Sequence, residues 1–327
     1  MASPGWSLVV HGGSGVIDRA DLTPEQDHAY RSVLARAAET GAAVLKAGGA
    51  ALDAVEAAIH VLEDDPLFNA GRGAVFTAEG CNELDAAIMD GATLDAGAVA
   101  GVTRVRNPIS AARRVMENSP HVLLIGRGAD AFAKDQGLAV VDPAYFFVET
   151  RWRALEKELA RTGRPIPERP AGADRDERHA ALAHDEGKRG TVGCVARDAA
   201  GHVAAGTSTG GVTAKSWGRV GDSPLIGAGT YASDASAAVS GTGEGEYFIR
   251  LSVARTIAAL VELKGLSLQA AVDEVMQGQL TELGGHGGVI AVAPDGQMAW
   301  GFNTSGMYRA RVSDRTPLEI AIYKDEP

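Results

Sequence analysis

The sequence changes character abruptly at Gly190 and Thr191. Residues 163–179, shortly before this point, are rich in proline and charge, and they offer a hydrophobic core almost nothing to bury. Residues 192–196, just after it, are apolar and small, as in a buried strand. A threonine at this position can simply begin a strand, because β-branched residues suit strands and glycine suits turns. A segment with nothing to bury that ends at one defined residue also fits a processing site, so both interpretations stay open here.

The sequence after this boundary predicts a β-hairpin. Residues 191–198 and 202–208 alternate as two strands do, and a turn at 199–201 joins them. In an antiparallel pair, the last residues of the second strand lie opposite the first residues of the first strand. We therefore expect Thr209 to lie near Thr191.

Two polar motifs follow the hairpin. Arg219 and Asp222 lie three residues apart in a glycine-held loop. They form either a weak surface salt bridge or a fork for a carboxylate beside an anion for an ammonium, which together recognise an α-amino acid. Residues 240–246 predict a glycine-rich turn that leads into a helix at 247–263. Such a turn presents N–H groups that can hold a developing oxyanion, although Thr242 can also be a simple N-cap.

The composition excludes several classes of function. The chain has 327 residues with 41 glycines, which indicates a compact globular protein rich in tight turns. Its net charge of -11 argues against a nucleic-acid or anionic-membrane partner. The two cysteines, Cys81 and Cys194, provide neither a disulfide framework nor a metal-binding spacing. No apolar run approaches the roughly 20 residues of a membrane span and no signal peptide is evident, so we expect a cytoplasmic protein.

The remaining regular segments predict strands and helices in both halves of the chain. Residues 7–10 form a strand that leads into a glycine-rich stretch at 11–15, which we interpret as a tight structural loop near a site. His11 in that loop fits a hydrogen-bonded structural histidine better than a catalytic base. The expected helices are 24–46, 51–62, 109–117, 130–136 and 268–280, and the expected strands are 84–91, 95–102, 121–125, 288–292, 297–302 and 319–323. Two facing sheets with helices outside would bury both sets of apolar faces.

Several motifs, in order, resemble the plant-type (type III) L-asparaginase and isoaspartyl aminopeptidase family of N-terminal nucleophile hydrolases. The motifs are Gly-Thr-Val-Gly at 190–193, Thr-Ser-Thr-Gly-Gly at 207–211, Gly-Arg-Val-Gly-Asp at 218–222 and Thr-Gly-Glu-Gly-Glu at 242–246, together with 11–13, 67–71, 84–91 and 302–308. The resemblance covers nearly all of the chain except about 128–189. It is a stronger signal than any one of these motifs alone.

The resemblance implies an α+β fold, a four-layer αββα sandwich in which two mostly antiparallel sheets face each other with helices outside. The chain would be one domain, 1–327, that cuts itself before Thr191 into a 1–190 α subunit, with a flexible linker at about 150–189, and a 191–327 β subunit. In this cut the Thr191 hydroxyl attacks the Gly190 carbonyl, which converts the amide to an ester that water opens. The new α-amino group titrates near 7.7 to 8 and can serve as the base for its own hydroxyl.

The positions that match the family motifs imply the catalytic roles. Thr191 would be the nucleophile, and Thr209 would hydrogen-bond and orient it. Thr242 and the Gly243 N–H would form the oxyanion hole. Asn69 would sit beside the nucleophile.

The same likeness assigns the substrate pocket. Arg219 would grip the α-carboxylate of the substrate. Asp222 and the Gly243 carbonyl would hold its α-ammonium, and Gly245 would line the pocket. The substrates implied are small molecules, L-asparagine and β-aspartyl dipeptides, hydrolysed through a β-aspartyl ester on Thr191.

The resemblance also implies a structural ion and an assembly. No cofactor is expected for catalysis. A sodium ion is expected on backbone carbonyls of the loop that follows the second helix, at Leu62, Glu63, Asp65, Phe68, Ala70 and Arg72. A dimer of αβ pairs is expected by likeness alone.

Two alternatives and two departures from the family pattern bear on specificity. The alternatives are a glycosylasparaginase, which shares the threonine chemistry but takes a sugar-bearing leaving group, and a catalytically silent amino-acid-binding relative. Ala214 and Ser216-Trp217 replace the usual residues around Lys215, and Glu244 lies between the two pocket glycines. We expect both departures to lie near the leaving group, so the sequence does not determine its identity.

Overall fold

A computed structural model describes residues 5–20, 22–170 and 190–326. These residues form an α+β fold with two sheets and flanking helices, as expected. The larger sheet has eight strands in the order β12-β11-β1-β5-β6-β2-β3-β4, and the smaller has four in the order β10-β9-β8-β7. The strands of the larger sheet are β1 Ser7–Gly15, β2 Leu84–Asp90, β3 Ala96–Val102, β4 Leu123–Ile125, β5 Val192–Arg197, β6 Val203–Thr209, β11 Gly306–Ser313 and β12 Glu319–Tyr323. Those of the smaller sheet are β7 Thr230–Ala232, β8 Ala238–Gly243, β9 Gly287–Val292 and β10 Met298–Phe302.

The helices largely follow the apolar periodicity of the sequence. They are α1 Pro24–Lys46, α2 Ala51–Glu63, α3 Pro108–Asn118, α4 Gly126–Asp135, α5 Glu149–Arg161, α6 Gly245–Leu251, α7 Val253–Lys264 and α8 Leu268–Asp273. The predicted start of α1 is confirmed, since the Thr23 hydroxyl accepts from the Gln26 N–H and the Gln26 side chain accepts from the Thr23 N–H. In the part of the chain that is described, no helix combines the length and apolarity needed to cross a bilayer.

The predicted hairpin lies in the middle of the larger sheet. β5 and β6 pair antiparallel, with Val192 opposite Ser208 and Arg197 opposite Val203. Every residue of both strands is buried, because side chains pack on both faces of the sheet. Thr191, one residue before β5, and Thr209, the last residue of β6, therefore meet at the same end of the hairpin.

Apolar side chains form three clusters that pack against the two sheets. One cluster joins the larger sheet to α1, α2 and α3, through residues such as Leu8, Leu34 and Ile59. A second cluster joins the smaller sheet to α7 and α8, through residues such as Val289 and Ile257. The third contains residues of both sheets, from β1, β5 and β6 on one side and from β8, β9 and β10 on the other.

Some sequence predictions of local structure were wrong. The stretch at 11–15 is not a loop, because β1 runs on to Gly15 with a bulge between His11 and Gly13. The helix expected at 247–263 is two helices, which meet at Ser252 in a left-handed conformation (φ 48°). The helix expected at 268–280 begins as α8 and continues as a π-helix over Glu274–Leu280.

The segment at 240–246 differs from its prediction in a way that concerns the site. Residues 238–243 are strand β8, so Thr242 is a strand residue and not the N-cap of a helix. The residue before α6 is Glu244, which makes no side-chain capping bond. Strands β7 and β11 were not predicted.

The first part of the predicted linker at 150–189 is helical. α5 buries Trp152, Leu155 and Leu159 in a small cluster with Phe76 and Phe147. Its apolar residues therefore have a partner surface. The rest of the linker from residue 171 to 189 lies outside the described residues.

Candidate active site

The threonines at the end of the hairpin are in contact. The Thr191 Oγ1 donates to Thr209 Oγ1 at 3.1 Å. The Thr209 Oγ1 also accepts from the Gly211 N–H at 3.0 Å, which fixes its orientation. Both threonines are buried, at 7% and 2% exposure. The register of the hairpin thus places the Thr209 hydroxyl within hydrogen-bond distance of the Thr191 hydroxyl, as the sequence predicts.

The Gly190 carbonyl oxygen accepts two hydrogen bonds. Asn69 Nδ2 donates to it at 2.8 Å and Thr209 Oγ1 at 3.1 Å. The Asn69 amide is held by further bonds, from its Nδ2 to the Gly211 carbonyl and from the Val75 N–H to its Oδ1. Two donors on one carbonyl oxygen draw electron density from its carbon and stabilise negative charge on the oxygen.

Thr242 and Gly243 end strand β8 beside the same cleft. Thr242 is 1% exposed, and its Oγ1 has no hydrogen-bond partner among the described residues. Gly243 lines the cleft together with Thr191 and Thr209. Its φ of 151° lies in a region that glycine favours, and a Cβ there would come within 2.5 Å of the His286 carbonyl oxygen. Thr242 is the neighbour of the cleft residue Gly243, and a buried hydroxyl without a partner there is suited to stabilise a negative charge.

Arg219 and Asp222 line the same cleft as Thr191. Arg219 does not pair with Asp222 as a simple salt bridge. Its Nε and Nη2 each donate to one carboxylate oxygen of Glu246, both at 3.0 Å. The surface salt-bridge alternative for the Arg219 and Asp222 pair is therefore not what the structure shows.

Asp222 is a buried carboxyl with capacity left for a cation. It is 4% exposed, and its Oδ2 has no hydrogen-bond partner in the described part of the chain. Burial raises the pKa of the Asp222 carboxyl to about 7, and the carboxylates of Glu246 and Asp85 also raise it while Arg219 lowers it. A positive group near Oδ2 would favour the ionised form.

Two glycines leave room for these charged side chains. A Cβ on Gly245 would lie 2.9 Å from Asp222 Oδ1 and 3.0 Å from Arg219 Nη2. A Cβ on Gly221 would lie 2.9 Å from Arg219 Nη1. The predicted role of Gly245 in the pocket thus has a steric basis.

His11 lies beneath the site and is held by hydroxyl groups. Its Nε2 is 3.0 Å from Ser240 Oγ, which in turn is 2.7 Å from Thr207 Oγ1. Complete burial lowers the pKa of His11 to about 3, so the ring is neutral at physiological pH. Gly193 makes this contact possible, since a Cβ there would lie 2.0 Å from Ser240 Oγ. A neutral, buried ring agrees with the predicted structural role of His11.

The predicted sodium loop presents carbonyls at the end of α2. Pro66 has no N–H to offer the Leu62 carbonyl, and the Leu67 N–H donates to Asp65 Oδ1 instead of continuing the helix. The carbonyls of Asp65, Phe68 and Ala70 each accept one backbone N–H, and a carbonyl oxygen has two lone pairs.

These carbonyls are hard oxygen donors and therefore fit an alkali cation. The other predicted ligands lie on either side of the loop, Leu62 and Glu63 at the end of α2 and Arg72 in a short 3-10 helix at Gly71–Gly73. The described residues contain no cluster of three His, Cys, Asp or Glu side chains that could hold a metal ion.

Sequence reasoning missed two charged contacts of the site. The pairing of Glu246 with Arg219 is not evident from sequence, because it depends on two separate segments meeting. Lys215 has a side chain that is 1% exposed, and its Nζ donates to the Glu83 carbonyl and lies 3.8 Å from Asp85 Oδ2. Asp85 is directly opposite Thr209 in the sheet, so this buried pair supports the strand that carries Thr209.

The departures from the family pattern have different surroundings. Glu244 is bound to the His286 N–H at 2.9 Å and lies 3.1 Å from His286 Nδ1, so its side chain is directed to that loop. Trp217 is completely exposed and has a left-handed backbone (φ 57°), as does Ala214 (φ 60°). Of these residues, Trp217 therefore has a side chain open to solvent near Arg219.

The sequence of the chain is similar to those of several known proteins. A family model described as asparaginase matches residues 4–322. The isoaspartyl peptidase of Salmonella typhimurium is 51% identical over 93% of this chain and 94% of its own length, and that of Escherichia coli is 50% identical over 93% and 91%. The plant-type L-asparaginase of Pyrococcus furiosus is 45% identical over 92% and 94%. With nearly its whole length matched, the chain belongs to the asparaginase family.

Proposed function

We propose that this protein is an amidohydrolase that cuts its own chain before Thr191 and then hydrolyses L-asparagine and β-aspartyl dipeptides. The observation that carries the proposal is the contact of Thr191 with Thr209 beside a Gly190 carbonyl that accepts two hydrogen bonds. A hydroxyl, a carbonyl and its charge-stabilising donors are the parts that an acyl transfer needs. Relatives named isoaspartyl peptidase and L-asparaginase support the same chemistry.

In the self-cleavage, Thr191 Oγ1 forms a bond to the Gly190 carbonyl carbon, and the bond from that carbon to the Thr191 nitrogen breaks. The hydroxyl proton ends on the nitrogen, which becomes an amine. Asn69 and Thr209 stabilise the negative charge that builds on the Gly190 oxygen meanwhile. Water then hydrolyses the ester and leaves a free carboxylate on Gly190 and a free amine on Thr191.

The mature site would use the new amine as its base. An α-amino group titrates near 7.7 to 8, so part of it is neutral at physiological pH and can take the proton of the Thr191 hydroxyl. The hydroxyl attacks the β-carbonyl of the substrate. Thr242 Oγ1 and the Gly243 N–H stabilise the oxyanion, the amine or ammonia leaves with a proton, and water releases aspartate from the ester.

Arg219 and Asp222 would read the amino-acid end of the substrate. The planar guanidinium matches a carboxylate in a bidentate way, and the unpartnered Asp222 Oδ2 can accept from an ammonium, with the Gly243 carbonyl as a second acceptor. Because these groups read the aspartyl unit, the leaving group can be ammonia or an amine. A catalytically silent amino-acid-binding relative would also use Arg219 and Asp222, but it would have no use for Thr191, Thr209 and Thr242.

The test of this function is the fate of Thr191. The wild-type protein should be cut into fragments 1–190 and 191–327, and the N-terminal sequence of the second should read Thr-Val-Gly-Cys. Thr191→Ala should stay uncut and inactive because it has no hydroxyl, whereas Thr191→Ser should still be cut. Intact mass spectrometry measures the cut, and hydrolysis of β-aspartyl-leucine measures the activity.

An uncut wild-type chain that still hydrolyses β-aspartyl-leucine would contradict the mechanism. Hydrolysis of N-glycosylated asparagine in preference to the dipeptide would instead favour a glycosylasparaginase.

We also propose a sodium ion on the loop that follows α2, where it would hold carbonyls close to Asn69. Asn69 lies inside this loop, so a sodium ion that orders the loop would also fix the position of the Asn69 amide. Sodium should raise the melting temperature and the rate of self-cleavage relative to tetramethylammonium at equal ionic strength. Equal values in both salts would remove the ion from the proposal.

The layers of the fold, the assembly and the location of the protein are also proposed from the resemblance to the family. The three apolar clusters, one between the sheets and one outside each, support a four-layer αββα sandwich. We place the protein in the cytoplasm as a dimer of αβ pairs, without nucleic-acid or membrane partners. Sedimentation of the mature protein measures the dimer.

A further inference from the structure

We propose that the Glu246 carboxylate competes with the α-carboxylate of the substrate for Arg219. Its charge thereby lowers the affinity of the site for β-aspartyl substrates. This inference rests on the proposed function, in which Arg219 binds the α-carboxylate. It concerns a residue outside the proposed catalytic set. It makes Glu246 a determinant of substrate affinity and not of the chemical step.

The geometry of the contact is that of a bound amino-acid carboxylate. Both oxygens of Glu246 are engaged, one by Arg219 Nε and one by Arg219 Nη2, each at 3.0 Å. This side-on arrangement is the one in which a guanidinium holds a free carboxylate most strongly. A substrate carboxylate that uses the same two nitrogens must displace Glu246.

The guanidinium has little freedom to serve both carboxylates in separate places. Gly221 lies against Nη1 and Gly245 against Nη2, so closely that a Cβ on either would come within 2.9 or 3.0 Å. The side chain of Arg219 is 19% exposed and forms part of the cleft wall with Thr191. The two acids therefore compete for one fixed set of donors.

The substrate carboxylate should displace Glu246 from Arg219, but breaking this ion pair lowers the affinity for the substrate. Glu246 has a side chain that is 63% exposed, and ion pairs with such solvent access are worth little. A substrate adds an ammonium on Asp222, which Glu246 cannot offer. The loss in affinity should therefore be small, about two- to fivefold, the factor that an exposed ion pair supplies.

Glu246 also acts on the second recognition group. Asp222 is faced by Arg219, Glu246 and Asp85, and the charge of Glu246 raises the pKa of the Asp222 carboxyl. An ammonium needs the ionised form of Asp222. Removing the charge of Glu246 should therefore extend substrate binding to lower pH.

The experiment is Glu246→Gln in the mature enzyme, with β-aspartyl-leucine as substrate. We expect KM to fall about two- to fivefold with little change in kcat, because the ion pair stabilises the free enzyme and is broken equally in the substrate complex and the transition state. The acid limb of kcat/KM should move to lower pH, which a merely structural change would not cause. Glu246→Ala, which also releases Arg219, should show the same fall in KM.

Two controls isolate the carboxylate. Glu262→Gln removes the acid from an ion pair with Arg255 on α7, away from the cleft, and should leave both constants unchanged. L-Asparagine α-amide keeps the ammonium but has no α-carboxylate. Its binding, measured by competition with the dipeptide at a pH well above the pKa of Asp222, where that carboxyl is ionised in both proteins, should not improve in Glu246→Gln.

The outcomes separate the two proposals. A KM that stays the same or rises in both Glu246 variants would overturn the role of Glu246, as would an equal gain for the α-amide. Fragments on a denaturing gel show whether each variant has matured. A wild-type enzyme that is cut but hydrolyses no β-aspartyl compound would instead overturn the proposed function.

Discussion

Thr242 shows how the surroundings of one side chain indicate its use. It is almost completely buried, yet its Oγ1 has no hydrogen-bond partner in the described structure. A buried hydroxyl without a partner costs about 1 to 3 kcal/mol. Sequence alone could not distinguish an oxyanion donor from an N-cap here, since the distinction depends on β8 reaching Gly243. The structure removes the N-cap alternative.

Thr242→Val is the corresponding prediction at the residue scale. Valine has the same shape without the hydroxyl, so kcat should fall on the order of 100- to 1000-fold while KM changes less. The melting temperature should stay the same or rise, because the unpartnered buried hydroxyl is gone. Steady-state kinetics and thermal melting measure the two effects.

Thr40→Val is the matched control. The Thr40 hydroxyl bonds to the Arg36 carbonyl on α1, away from the cleft. It should leave kcat unaltered. A Thr242 variant with wild-type kcat would exclude its hydroxyl from the oxyanion hole.

The turn between β8 and α6 is the element that joins the oxyanion donors to the substrate pocket. Gly243 and Gly245 lie on either side of Glu244, which anchors the turn to His286 through its carboxylate. The close contacts of Gly245 with Arg219 and Asp222 leave no volume for a side chain. The element thus depends on two glycines for different reasons, backbone conformation at the first and space at the second.

Gly245→Ala tests the second reason. The added methyl group would push on Arg219 and Asp222, so KM for β-aspartyl-leucine should rise at least tenfold, with self-cleavage retained. Gly128→Ala is the control, since nothing lies within 4 Å of a Cβ at that position of α4. Equal KM values in the two variants would contradict the predicted packing.

The elements that sequence predicted well are those whose partners are close in the chain. The β5–β6 hairpin follows from local alternation and a short turn, and it places Thr209 beside Thr191. β11 was missed because two arginines interrupt its apolar pattern. Arg309 is in fact 1% exposed, with its guanidinium 4.9 Å from the ring centres of Trp300 and Phe302. Only the tertiary structure reveals that this arginine is buried.

At the scale of the whole molecule, the two expected fragments are interleaved within one sheet. β1, β2, β3 and β4 lie before the proposed cut and the other strands after it. In the larger sheet, β1 lies between β11 and β5, and β6 pairs with β2. Each fragment therefore supplies hydrogen-bonding neighbours that the other lacks. Sequence predicted two sheets but could not give this order, because it depends on pairings between distant segments.

The interleaving predicts that the cut protein stays together. Mature enzyme should elute from gel filtration as one species containing both fragments, and they should separate only in denaturant. Fragment 191–327 expressed alone should be insoluble, since β5 and β6 would lose β1 and β2. Soluble, folded fragment 191–327 would contradict this arrangement.

The loop that carries Arg219 contains a solvent-exposed fluorophore, Trp217. Of the four tryptophans, Trp152 and Trp6 are buried and Trp300 is half-buried, whereas Trp217 projects fully into water two residues before Arg219. Iodide would mainly quench the indole fluorescence of Trp217. The iodide-sensitive tryptophan emission of the unlabelled enzyme can therefore report, in real time, how the loop that carries Trp217 and Arg219 responds when aspartate binds and dissociates.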